Sequence, residues 1–237
     1  MNKRYFIRKF KGLFFRLNLH LFVPSKMLSF ISYLAQLSRW IKNHRQIGFS
    51  DFYSSKFNYA KRYDLYKHVI AGERLNEGID YLEFGVAKGE SIKWWAKNIT
   101  AANARFYGFD TFSGLPEDWG LFKKGDMNNN NEPPKTDDRR CVFYQGLFQQ
   151  TLPGFLAGYE PERRKVIHMD ADLYTSTYYV LTTLSPVLKA GDIIFFDEFN
   201  VPMHEFKAFT EWVDSYYINY RVLGSVNNFY QIAVILV

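Results

Sequence analysis

The sequence predicts an α/β fold, a mostly parallel sheet with helices over both faces, preceded by a basic helical extension. Three observations predict it. From about residue 79 onward, short apolar runs alternate with helical segments, the pattern of strand–helix–strand units. A hydrophobic fraction of 47% with 19% aromatics, spread over 237 residues, supports one sizeable core and excludes a disordered chain. The charge is divided unevenly: residues 1–50 hold ten Lys/Arg and no acid, leaving 20 Lys/Arg against 24 Asp/Glu in the rest. That asymmetry separates a basic arm, residues 1–60, from an acidic body, residues 61–237.

In the arm, Phe6, Phe10, Leu13, Phe14 and Leu17 recur at helical spacing while Arg4, Arg8 and Lys11 take another face, which predicts an amphipathic helix. Pro24 and Ser25 interrupt it, and residues 27–41 predict a second helix. In the body, strands are expected at 80–86, 105–109, 141–144, 165–169 and 192–196, with a closing pair at 221–226 and 231–237. Helices are expected through Ile92, Trp95 and Ala96, over 178–188, and over 206–217. The stretch 123–140, with Asn128–Asn131 and Pro133–Pro134, has no periodicity and reads as a lid or mobile loop.

Several function classes fall away. The one cysteine, Cys141, cannot form an internal disulfide or a cysteine-based metal cluster, which points to a reducing, cytoplasmic setting. The charge-free stretch Met27–Ser38 is far shorter than the roughly 20 apolar residues of a membrane span. Cations interrupt the apolar residues of the arm, so it does not read as a signal peptide. A basic amphipathic helix suits either peripheral contact with the inner membrane surface through residues 1–20 or packing against the body or a second subunit, which leaves a homo-oligomer open. Nucleic acid is not expected, since no recognition module is present and the body is acidic.

The first strand, turn and helix, Glu83-Phe84-Gly85-Val86-Ala87-Lys88-Gly89-Glu90-Ser91, is built to cradle a ligand. Gly85 and Gly89 permit a sharp turn and close approach of a ligand to the backbone. The segment is neither a P-loop nor a dinucleotide Gly-x-Gly-x-x-Gly. The second strand ends in Gly108-Phe109-Asp110, followed by Thr111. An acid at that position accepts hydrogen bonds from ribose hydroxyls in nucleoside-binding folds, and caps a turn in others.

Asp170 and Asp172 end the fourth strand, and Asp197 and Glu198 end the fifth. Adjacent parallel strands bring these acids to one edge of the sheet. Their convergence requires raised pKa values or a cation, and an all-oxygen set favours Mg²⁺, with Mn²⁺ or Ca²⁺ next.

The segments FYGFDTFSGLPEDW, QGLFQQTLP, IHMDADLYTSTYYVL and GDIIFFDEF resemble the macrocin O-methyltransferase (TylF-type) family of class I S-adenosylmethionine-dependent methyltransferases. The resemblance covers roughly residues 80–215. It implies a Rossmann-like sheet of seven strands with an antiparallel last strand, S-adenosylmethionine as methyl donor, and a sugar hydroxyl on a small molecule or glycan as acceptor. It further implies a cofactor site of Glu83, Gly85, Val86, Gly89, Ser91, Asp110 and Thr111, with Phe148 near the adenine and Asp172 facing the cofactor. Asp170, Asp197 and Glu198 fall at the metal-ligand positions. The chain departs from the family in having Glu198 where many members carry a second aspartate. The lysine base of catechol-type enzymes has no counterpart, its region being occupied by Leu173 and Tyr174. Asp170 is the expected base, with His204 and His168 as alternatives.

Two other readings compete. Asp-Ala-Asp after a hydrophobic strand also occurs in metal-dependent glycosyltransferases, but that reading leaves Glu83, the glycine turn and Asp110 without a role. A non-catalytic membrane-surface protein would make the arm the working part.

Overall fold

The computed structural model describes residues 3–237. Its arm contains helices α1 (Lys3–Arg16) and α2 (Ser25–His44), joined through a short 3-10 turn, and α3 (Lys61–Glu73) leads into the body. The body runs β1 (Ile79–Phe84), α4 (Glu90–Asn98), β2 (Arg105–Asp110), β3 (Cys141–Gln145), α5 (Phe148–Ala157), β4 (Arg164–Met169), α6 (Tyr174–Leu184), β5 (Ile193–Phe196), α7 (Glu205–Tyr216), β6 (Tyr220–Val226) and β7 (Gln231–Leu236). The seven strands form one sheet in the order β3-β2-β1-β4-β5-β7-β6. The first five are parallel, and β7 runs antiparallel to both β5 and β6, as the sequence predicts.

Strands buried on both faces need apolar side chains in both directions, and these strands supply them. Leu82, Phe84, Ile167, Met169, Ile194 and Phe196 face a layer built with α5, α6 and α7, joined by Leu37 and Trp40 of α2. Tyr81, Phe106, Val166 and Phe195 face Leu65 and Tyr66 of α3 and Trp95 of α4. Full burial of one such large side chain stabilises the fold by about 1.5–3 kcal/mol.

Two expected boundaries move. The first strand stops at Phe84 rather than Val86, because Gly85 turns the chain with a φ of +94°. The helix expected over 178–188 spans 174–184 instead, and a 3-10 turn, Ser185–Val187, follows it. Pro186 has no N–H to continue the α-helical ladder.

The strand order places the tails of β1, β4 and β5 side by side. The Asp170 N–H donates to the Phe84 carbonyl at 2.9 Å and the Asp197 N–H to the Met169 carbonyl at 3.0 Å, so the ladder extends into the carboxylates. The site lies at this carboxyl edge.

Candidate active site

A cavity of about 480 Å³ opens at the carboxyl edge of the sheet, within the usual range for small-molecule pockets. Of the residues singled out from sequence, Gly85, Asp110, Thr111, Phe148, Asp170, Asp172 and Glu198 line it. Glu83, Val86, Gly89, Ser91, Asp197 and His204 do not.

The Gly85 turn is fixed by contact with the neighbouring strand. A Cβ on Gly85 would lie 1.8 Å from the Asp170 carbonyl oxygen, so only glycine lets β1 and β4 close up here. Asp110 holds the other side of the turn: its Oδ2 accepts from the Val86 and Ala87 N–H groups, both at 2.7 Å. Its Oδ1 accepts from the Phe112 N–H at 2.7 Å. That oxygen keeps a lone pair to offer to the cavity. The Thr111 hydroxyl donates to the Gly114 carbonyl at 2.9 Å, and Phe148 sets its ring edge-on against Phe84.

Gly89 is covered from the loop side, where Pro134 would stand 2.7 Å from a Cβ. Met127 of the same loop lines the cavity. Glu83 is buried and points to the opposite face of β1, where it accepts from the Tyr81 hydroxyl at 2.5 Å. It therefore belongs to a buried polar array rather than to the cavity wall. Sequence reasoning had no signal for this, because Tyr81, Glu83 and His168 come from two strands whose facing side is set only by the register Glu83↔His168.

The acidic cluster reaches the cavity through Asp170, Asp172 and Glu198. Single ligand atoms of His168, Asp170 and Asp197 all lie within 4.8 Å of one another. His168 is already engaged: Nδ1 meets the Tyr81 hydroxyl at 2.8 Å and Nε2 the Tyr66 hydroxyl at 3.1 Å. Burial alone would lower its pKa, but the Asp197 and Glu83 carboxylates outweigh it and lift the imidazole to about 9. Asp197 is buried, and its Oδ2 accepts from the Tyr59 hydroxyl at 2.5 Å. Its Oδ1 has no hydrogen-bond partner, and neither does Oε2 of Glu198. The other Glu198 oxygen accepts from the Tyr230 hydroxyl.

Desolvation and mutual repulsion push these acids upward. Asp170 is raised well above an ordinary aspartate, first by burial and then by Asp197. Asp172 rises to about 7 through burial and the charges of Asp197 and Asp110, and Glu198 rises to about 7 chiefly through burial. Glu205 is buried, and burial raises its pKa well above that of an ordinary glutamate. One of its oxygens accepts from the Glu198 N–H at 2.9 Å, which fixes the start of α7 beneath the cluster.

Two buried acid oxygens without hydrogen-bond partners, beside raised carboxyls, fit a hard divalent cation. Asp170, Asp197 and Glu198 can supply oxygens to it, whereas His168, with both nitrogens taken, cannot without losing a tyrosine. His204 caps the start of α7 with its ring edge-on to Trp119, and burial lowers its pKa.

Sequence reasoning gave Tyr59, Arg62 and Tyr230 no role beside the acids. Arg62 is buried, stacks over the Tyr59 ring at 4.1 Å and donates to its hydroxyl at 2.7 Å. Its Nη1 also lies 3.9 Å from Asp197 Oδ1.

A seven-stranded sheet of this order, with a glycine turn and an acidic cluster at its carboxyl edge, is the Rossmann-like methyltransferase fold. Residues 82–199 match the family model described as a methyltransferase domain. The structure is similar to that of CalS11, a calicheamicin methyltransferase, with a TM-score of 0.59 and 19% identity over 90% of this chain and 93% of that one. An apo structure of CalS11 describes it as a TDP-rhamnose 3′-O-methyltransferase. The O-methyltransferase NovP gives a TM-score of 0.54 at 19% identity, over 75% of this chain and 78% of its own. A structure of cmcI-D160 with Mg and SAM gives 0.50 at 17% identity, over 85% and 84% of the two chains. At such identities the likeness is one of fold. No curated protein matches the sequence significantly. Among the described residues, no helix is long and apolar enough to cross a membrane.

Proposed function

We propose that the protein is an S-adenosylmethionine-dependent O-methyltransferase acting on a hydroxyl of a sugar, on a glycan or a glycosylated small molecule, with Mg²⁺ or a similar ion. The observation that carries the reading is that one cavity is lined both by the Gly85 turn with Asp110 and by Asp170, Asp172 and Glu198. A nucleoside-bearing donor and an acid-bound acceptor can therefore meet in it. CalS11 acting on TDP-rhamnose and cmcI-D160 with Mg and SAM support the acceptor class and the ion.

When bound, S-adenosylmethionine supplies a methyl on a sulfonium, so the protein has mainly to align donor and acceptor and take up one proton. An ion at Asp170, Asp197 and Glu198 would supply Lewis acidity toward the acceptor hydroxyl. Asp110 Oδ1 would accept from the ribose, while its Oδ2 holds the Gly85 turn in place. Phe148, which lines the cavity, would pack against the adenine. Asp172 lines the same cavity and is not among the residues that would hold the ion, which makes it the candidate general base in place of Asp170. His204, the alternative base, caps the start of α7 and does not line the cavity.

Calorimetric titration with S-adenosylmethionine, alone and with Mg²⁺, tests the cofactor, and transfer of labelled methyl to a panel of nucleotide sugars and glycans tests the acceptor. Asp170→Ala and Asp197→Ala should abolish transfer and its dependence on the ion together. Micromolar binding of nucleotide sugars with none of S-adenosylmethionine would replace this reading with glycosyl transfer.

A further inference from the structure

We infer that residues 3–34 are a membrane-docking surface for an anionic bilayer, held to the body by the second half of α2. No residue of α1 is buried, although a helix of 14 residues is marginal in water without an apolar partner. Phe6, Phe10 and Leu13 follow at four- and three-residue steps along one stripe and are 62%, 59% and 52% exposed. The same spacing sets Lys9 and Arg16 along one margin of that stripe, with Lys11 beyond its other margin and Arg8 on the far face of the helix. The bare apolar surface continues past α1 through Leu21 and Phe22, which are 73% and 81% exposed, and on to Met27, Ile31 and Leu34 of α2.

Beyond Leu34 the character of α2 changes. Leu37 and Trp40 are buried in the core, and the Trp40 Nε1–H donates to the Tyr220 hydroxyl at 2.8 Å; just before Leu34, on the body-facing side, the Tyr33 hydroxyl already donates to Glu211 at 2.6 Å. One end of the arm is thus moored while the other presents aromatic and aliphatic side chains to the surroundings. Fourteen of the 26 exposed large apolar side chains among the described residues lie between Tyr5 and Leu34.

Charge selects the occupant. The first 50 residues contain ten Lys/Arg and no carboxylate side chain. In a symmetric contact between two copies the same patch meets itself, which would set cation against cation. A bilayer with anionic headgroups satisfies both features at once, taking the apolar stripe below the headgroups and the flanking cations among them. The inference stands apart from the methyl-transfer reading, and its test measures no catalysis.

The test is co-sedimentation of the full chain with vesicles of phosphatidylcholine alone and of an equal mixture with phosphatidylglycerol. Pelleting with the mixed vesicles is expected, with binding at least about tenfold weaker to phosphatidylcholine alone and falling steeply with added salt. The variants Phe10→Ser/Leu13→Ser and Lys9→Gln/Arg16→Gln should each weaken binding about tenfold or more while leaving the thermal unfolding midpoint unchanged. Failure to pellet with the mixed vesicles overturns the inference, as does wild-type binding by the Phe10→Ser/Leu13→Ser variant. So does light scattering showing that this variant breaks an oligomer, or a fall in its unfolding midpoint, since either places the stripe against protein.

Discussion

The Tyr59 hydroxyl donates to Asp197 Oδ2 at 2.5 Å although 138 residues separate the two in sequence. Tyr59 precedes α3, Asp197 follows β5, and the buried Arg62 guanidinium locks the tyrosine by stacking on its ring and donating to its oxygen. Tyr59→Phe should therefore keep the ring and release one carboxylate oxygen. Losing a partner that orients a proposed metal ligand costs about 10–100-fold in ion affinity or activity. The expected outcome is a higher Mg²⁺ requirement for methyl transfer, read from an ion titration, with cofactor affinity little changed. An unaltered ion requirement would make Tyr59 a packing residue only.

That relationship also marks where sequence reading stops. The strand alternation made the parallel sheet legible, and adjacency of the fourth and fifth strands made the pairing of Asp170 with Asp197 legible, as the register Met169↔Phe196 carries it. Local turn chemistry pointed to Gly85 and Asp110. What could not be read is which distant side chains close over the acids: Tyr59 and Tyr230 reach them from before α3 and from the β6–β7 turn. No periodicity links those segments to β5. Glu83 escaped for the converse reason, since a strand position fixes a side chain to a face but does not say whether that face holds ligand or core.

The glycine of the first turn gives a steric prediction. Gly85 has a φ of +94°, and a Cβ there would overlap the Asp170 backbone, whereas Gly12 in α1 has open space around it. Gly85→Ala should destabilise the fold by about 3 kcal/mol or more, through forbidden backbone geometry and separation of β1 from β4. Gly12→Ala should be neutral or favour the helix by up to about 1 kcal/mol. Urea unfolding of the two variants checks the contrast, and equal midpoints would contradict the placement of the turn.

Asp110 has a structural and a binding role that one substitution can separate. Its two oxygens take three backbone N–H groups, from Val86, Ala87 and Phe112. An asparagine can serve the turn with its single oxygen, but then turns an NH₂ toward the Phe112 N–H and offers the ribose a donor in place of an acceptor. Asp110→Asn should lower stability by about 1–3 kcal/mol and weaken S-adenosylmethionine binding at least about tenfold. Denaturant unfolding and calorimetry read the two effects separately. Stability lost with cofactor affinity intact would reduce Asp110 to a turn-holding residue.

Cys141 opens β3 half-buried, where burial first and then the nearby Asp138 push its thiol up to about 11 from an ordinary 9.0. Only the thiolate reacts with alkylating agents, so at pH 8 the native thiol should react with iodoacetamide about 100-fold more slowly than the same thiol in urea. The sign for stability follows from proton binding. Between pH 9 and 11 the unfolded chain releases this proton more readily than the folded one, so the contribution present below pH 9 is lost as pH rises toward 11. Cys141→Ser should abolish labelling and flatten that part of the stability profile, since serine does not titrate there. Rapid native labelling at pH 8 would mean that the β3 edge opens readily to solvent.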